Sequence, residues 1–100
     1  MNLRKEAQGR ECQIRIPSIC NGNPETVVLA HLNNKRLFGV GTGQKVPDIF
    51  GAWACSACHD AVDGRYKGYT DYHYKDMERL HSEGVFRTQS ILLEEGKIGA

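Results

Sequence analysis

The residues of this 100-residue chain whose types and spacing can do chemistry are its four cysteines and two of its four histidines. Cys55-x-x-Cys58 lets two thiolates reach one ion from a turn and the first turn of a helix, where helix-end amides also favour negative charge. Two sulfurs do not fill a tetrahedron. Cys12 and Cys20, separated by seven residues of a Pro-containing loop, supply the other two, and a closed four-sulfur site has no position left for water or substrate. The expectation is therefore one structural Zn2+ held by Cys12, Cys20, Cys55 and Cys58. A thioredoxin-like redox pair would need a βαβ setting that is absent here, and the CxxCH string of haem attachment belongs to exported proteins.

His59 directly follows Cys58, so the same helix start fixes it, and Asp63, four residues on, shares its face. Together His59 and Asp63 can hold a catalytic Mg2+ or Mn2+. Cleaving a phosphodiester with such a cation also needs a base to take a proton from water, and His31, near the end of an apolar run, fills that role. The plainer readings are a packed structural histidine at His31 and a solvated ion pair at His59 and Asp63, with Asp60 competing for the metal. His73 and His81 read as surface or packing residues.

These side chains need elements to position them. Residues 1–26, with Asn21-Gly22-Asn23-Pro24, read as an irregular zinc knuckle. A ββα core spans 27–66: a strand over Thr26–Leu32, a glycine-rich excursion from Asn33 to Asp48, a return strand over Ile49–Ala54, and a helix from Cys55. Over 69–95, the spacing Tyr69, His73, Met77, Leu80 predicts an amphipathic helix that Gly84 breaks before a second piece, Val85–Glu95. The expected fold is one α+β domain with a treble-clef, ββα-metal frame, stapled by zinc and extended by C-terminal helices.

Net charge is only +1, so the distribution of charge carries any case for nucleic acid. Lys35, Arg36 and Lys45 fall in the glycine-rich excursion and are the expected phosphate contacts, while acids concentrate after Asp71. The polar first ten residues do not read as a secretory signal and no apolar run is long enough to span a bilayer, so the sequence points to the cytoplasm and away from membranes.

Leu29-Ala30-His31, Gly43-Gln44-Lys45-Val46-Pro47-Asp48 and Ala54-Cys55-Ser56-Ala57-Cys58-His59-Asp60-Ala61 together resemble the YbcO-like nucleases of lambdoid phages and prophages. Arg10-Glu11-Cys12-Gln13, Ile16-Pro17 and Arg87-Thr88-Gln89 extend the similarity nearly end to end. The resemblance implies a ββα-metal fold with a structural zinc. More broadly it is similar to His-Asn-His endonucleases, in which the first histidine activates water and the one after CxxC binds the catalytic metal; His31 and His59 match those places. Two positions depart from that pattern. Ala30 stands where a metal-binding Asp or His is usual, and Asp48 where an Asn braces the hairpin, so Asp48, Asp60 or Asp63 would have to complete the cage. The function expected is a metal-dependent DNA endonuclease; the alternative is a non-catalytic, zinc-stapled module that binds DNA or protein, favoured by Ala30.

Overall fold

The computed structural model describes residues 2–33 and 46–99, and it is a mixed α/β domain with a two-stranded sheet and three helices. In chain order these are α1 (Leu3–Glu6), β1 (Val28–His31), β2 (Gly51–Ala54), α2 (Ser56–Val62) and α3 (Tyr74–Glu94), with single 3-10 turns at Pro24–Thr26 and Asp48–Phe50. The strands pair antiparallel in the register Leu29 to Trp53, Ala30 to Ala52 and His31 to Gly51. Two strands do not stand alone in water, so this hairpin depends on what covers it.

Its cover is α3, and the sequence of β2 explains how closely that helix approaches. Gly51, Ala52 and Ala54 surround Trp53, all of them buried, and small side chains leave room for a helix backbone. Polar side chains then close the gap. Thr88 Oγ1 accepts the Trp53 backbone N–H at 3.0 Å and donates to the Gly84 carbonyl at 2.8 Å, while Gln89 donates to the Ile49 carbonyl at 2.7 Å. On the other side the Gln13 amide donates to the Trp53 carbonyl at 2.7 Å, which brings the cysteine-bearing segment against β2. Ile14, Ile16, Trp53, Val85 and Leu92 fill the space between.

Two sequence expectations need correction. Residues 1–26 are not all irregular: Asn2 caps α1 by accepting the amides of Arg4 and Lys5. The C-terminal segment is also one helix rather than two. It starts at Tyr74 instead of Tyr69, because the His73 ring and the Asp76 carboxylate form a reciprocal cap there. It then runs straight through Gly84. A mid-helix glycine costs about 1 kcal/mol, which packing easily offsets. Here the packing requires it, since a Cβ on Gly84 would sit 2.8 Å from Ile14 Cγ1 and 3.1 Å from Ile14 Cα.

That contact sets propensity against packing. Gly84→Leu improves intrinsic helix propensity by roughly 0.8 kcal/mol yet overpacks the Ile14 contact by about 1–3 kcal/mol. The expected outcome in thermal melts is a net loss, with Tm falling by several degrees; a rise in Tm would show that Ile14 gives way freely.

Candidate functional site

The loop from Cys12 to Cys20 and the junction of β2 with α2 meet at sulfur. The Sγ atoms of Cys12, Cys20, Cys55 and Cys58 all lie within 4.8 Å of one another, and none is in a disulfide. Tetrahedral zinc with bonds of about 2.3 Å separates its sulfurs by about 3.8 Å, and Cys20 and Cys55 stand 3.8 Å apart. Backbone amides point at the cluster: Arg15 N–H donates to Cys12 Sγ at 3.5 Å and Cys58 N–H to Cys55 Sγ at 3.4 Å. The thiols respond to one another. Cys12, hydrogen-bonded first by the Cys58 thiol and then by backbone amides, is pushed down to about 4. Cys58, which supplies that proton, is pushed up, and burial raises Cys20. Protons divide unevenly because four negative sulfurs repel; a dication is the partner that lets all four ionise. The donor set fits a structural metal. Among the described residues these cysteines are the one group of three or more such ligands.

Each of the two singled-out histidines contacts a carboxylate. At the end of β1, His31 Nε2 lies 2.7 Å from Asp48 Oδ1, on the turn that leads into β2. The His31 hydrogen bond, followed by the charge of Arg4, holds the Asp48 carboxyl below its usual range; Arg4 Nε is 3.5 Å away. An ionised carboxylate only accepts, so in the neutral ring the proton sits on Nε2 and the lone pair on Nδ1. On α2, His59 Nε2 lies 3.1 Å from Asp63 Oδ2, the i, i+4 contact expected from spacing. Arg65 bridges Asp63 at 3.1 Å and the more exposed Asp60 at 3.4 Å. The partner of His59 is therefore Asp63 and not Asp60.

Sequence reasoning undervalued His81. It is 2 % exposed, with Nε2 2.8 Å from the Ala30 carbonyl. Burial holds it below the ordinary histidine range, and Asp63, His59 and His31 are all near enough to act on its charge. The signal was available: Leu80, His81, Gly84, Val85, Thr88 and Leu92 form a buried helical stripe, passed over because three members are not apolar side chains. Ala30 is fully buried opposite Ala52, and neighbouring strand residues point to opposite faces, so Ala30 and His31 face different ways. Lys35, Arg36 and Lys45 lie outside the described residues.

A small α/β domain with four converging thiols and two histidine–carboxylate contacts is the class that fold and site define. The chain belongs to the family described as "Putative nuclease YbcO", which it matches over residues 1–97. Two curated relatives carry the same description, one from Escherichia coli K12 and one from Enterobacteria phage 82. Each is 55% identical over 100 residues, covering 99% of this chain and 98% of its own. A solved structure described as "Structure of a putative bacteriophage protein from Escherichia coli str. K-12 substr. MG1655" is 45% identical, with a TM-score of 0.75, over 95% of this chain and 100% of that one. Among the described residues no helix is long and apolar enough to cross a membrane.

The burial of His81 has a pH consequence. Its folded pKa is lowered, so as pH falls below about 6.5 the unfolded chain takes up a proton that the folded one refuses, and stability drops. His81→Gln can still donate to the Ala30 carbonyl but does not titrate. Its Tm should decline less than that of the parent protein between about pH 7 and pH 5; parallel declines in the two melting series would remove His81 as a source of the slope.

Proposed function

We propose that this chain is a metal-dependent DNA endonuclease of the His-Asn-His type, phage or prophage encoded, working on a treble-clef ββα-metal frame stapled by a structural zinc at Cys12, Cys20, Cys55 and Cys58. One observation carries the reading: His31, oriented by Asp48, and His59, paired with Asp63, come from β1 and α2 to the neighbourhood of one buried residue, His81. The family description supports the class of reaction.

In this reading His31 is the general base. Asp48 fixes the proton on Nε2, leaving Nδ1 to take one from the attacking water and stabilising the imidazolium that results. Asp48 is thus a positioning residue. His59 and Asp63 would hold a Mg2+ or Mn2+ ion, which supplies charge to offset the scissile phosphate and the departing oxygen. Two protein donors suit a hard cation that keeps waters and takes its remaining ligands from substrate. The buried Ala30 adds none, so His59 and Asp63 would carry the protein's share, with Arg65 beside them at 3.1 Å from Asp63. Lys35, Arg36 and Lys45 would add salt-sensitive, sequence-independent phosphate contacts, and the cytoplasm is the expected compartment.

The second reading, a non-catalytic zinc-stapled module that binds DNA or protein, has Ala30 in its favour. A plasmid-nicking assay across a cation series separates the two. His31→Ala should lower cutting by at least about a hundredfold with zinc content, fold and DNA affinity kept, because a base acts in the transition state. His59→Ala should also raise the Mn2+ or Mg2+ concentration required. Unchanged nicking by His31→Ala removes it as the base; no cutting by the parent protein in any cation selects the binding module.

The zinc is tested separately. Elemental analysis should give one zinc per chain, and stripping it with a strong chelator should abolish cooperative melting, because the binding energy of such a site is folding energy. Cys55→Ser should do the same. A metal-free protein that melts cooperatively at the same temperature would overturn the staple.

A further inference from the structure

Beside His81 lies a cavity of about 820 Å3 between the end of α2, the segment that follows it and the first turns of α3. That is within the size range of ligand pockets, and its lining is distinctive. Tyr66, Tyr72 and Tyr74 all face it, and among the described residues its lining holds no Lys or Arg and one carboxylate, Glu78. Aromatic faces and a negative group suit a neutral heterocycle and repel a phosphate. Polar groups are also in reach: the Ser82 hydroxyl and the Glu78 carboxylate have no hydrogen-bond partner among the described residues, although both line the cavity. At its rim, Asn33 is anchored by donating to the Val62 carbonyl at 2.8 Å.

The position of the cavity matters as much as its lining. Ala61 and Val62 reach it from the helix that carries His59 and Asp63, and His81, on which Asp63, His59 and His31 act, forms part of its wall. Leu32, next to His31 in the chain, lines the cavity as well, so a base adjoining a phosphate held at those histidines would approach the tyrosines. A base paired and stacked in a duplex cannot turn into such a cavity; it has to be unpaired or flipped out.

We propose that this cavity binds one unpaired nucleobase next to the scissile phosphate, so that the preferred substrate is DNA with a single-stranded or distorted segment rather than intact duplex. The proposal rests on the nuclease reading, which supplies the phosphate that brings the base there. Tyr74 is the stacking residue at the mouth: it is 64% exposed and its ring centroid lies 4.3 Å from that of His73. Tyr66 and Tyr72 are packed against the core and form the inner wall.

The test uses the zinc-loaded full chain and a short oligonucleotide carrying 2-aminopurine, offered as a single strand and as a blunt duplex at one salt concentration with no Mg2+ or Mn2+ added. Stacking in the cavity should quench the single-strand signal, and the single strand should bind at least tenfold tighter than the duplex. Tyr74→Ala should weaken single-strand binding roughly tenfold and leave duplex binding unchanged, as loss of one stacked base implies, while Tyr74→Phe should keep it. Ser82→Leu, which fills the floor from α3, is the second variant and should abolish the quench. Equal affinity for both strands' forms, or a quench indifferent to both Tyr74→Ala and Ser82→Leu, overturns the pocket whether or not the protein cuts DNA. A quench that obeys the variants in a protein that cuts nothing in any cation supports the pocket and overturns the nuclease reading instead.

Discussion

The convergence of Cys12, Cys20, Cys55 and Cys58 is the constraint on which the rest of this small domain depends. It joins a loop with little regular structure to the junction of β2 and α2, and that loop carries Arg15 and Ser18 in left-handed backbone at φ 53 and 65, the Arg15 turn closing on the cluster. Neither is glycine, and such conformations cost of order 1 kcal/mol or more each unless the surroundings enforce them. The sulfur cluster is the enforcing contact, since the Arg15 amide points back at Cys12. Because Cys55 caps α2 and Cys58 lies in its first turn, the same cluster sets where that helix begins and therefore where His59 stands.

The second support is α3, which works through polar groups as much as apolar ones. Thr88, Gln89, His81 and Arg87 each reach a backbone group of the hairpin or of the cysteine-bearing segment. Buried carbonyls and amides of a two-stranded sheet need partners, and a third strand is replaced here by helix side chains. On the far edge Arg10 lies 4.5 Å over the Trp53 ring and makes two 2.6 Å hydrogen bonds to Glu95. Arg10 accordingly holds the Glu95 carboxyl down to about 2. With Glu6 and Lys97 it fastens α1 to the end of α3.

Those two supports place the chemistry between them. His31 ends the strand that α3 covers, His59 lies midway along the helix that the cysteines anchor, and each is held by its own carboxylate rather than by the other's. Separate carboxylates hold the two rings independently, and the Asp48 contact keeps the His31 ring in a defined tautomer.

Sequence spacing by itself determined what is local. Cys55-x-x-Cys58 announced a helix start with two ligands, Asp63 was legible as the partner of His59 from the i, i+4 rule, and the β-branched run before His31 marked a strand. Its four cysteines also announced a cluster, because a metal site needs a fixed count of ligands whatever lies between them. Only the tertiary structure decided the rest. Gly84 reads as a helix break until Ile14 is seen against it, since close approach by a residue seventy positions away leaves no local trace. His81 reads equally as a surface or a packing residue and Thr88 gives no sign of burial, because their partners are backbone groups of β1 and β2 that no side-chain pattern announces. Asp48 meets His31 across seventeen residues through the hairpin register, and the tyrosine-lined cavity comes from two chain segments folding side by side; both are products of topology, which residue order constrains only through the packing of the whole chain.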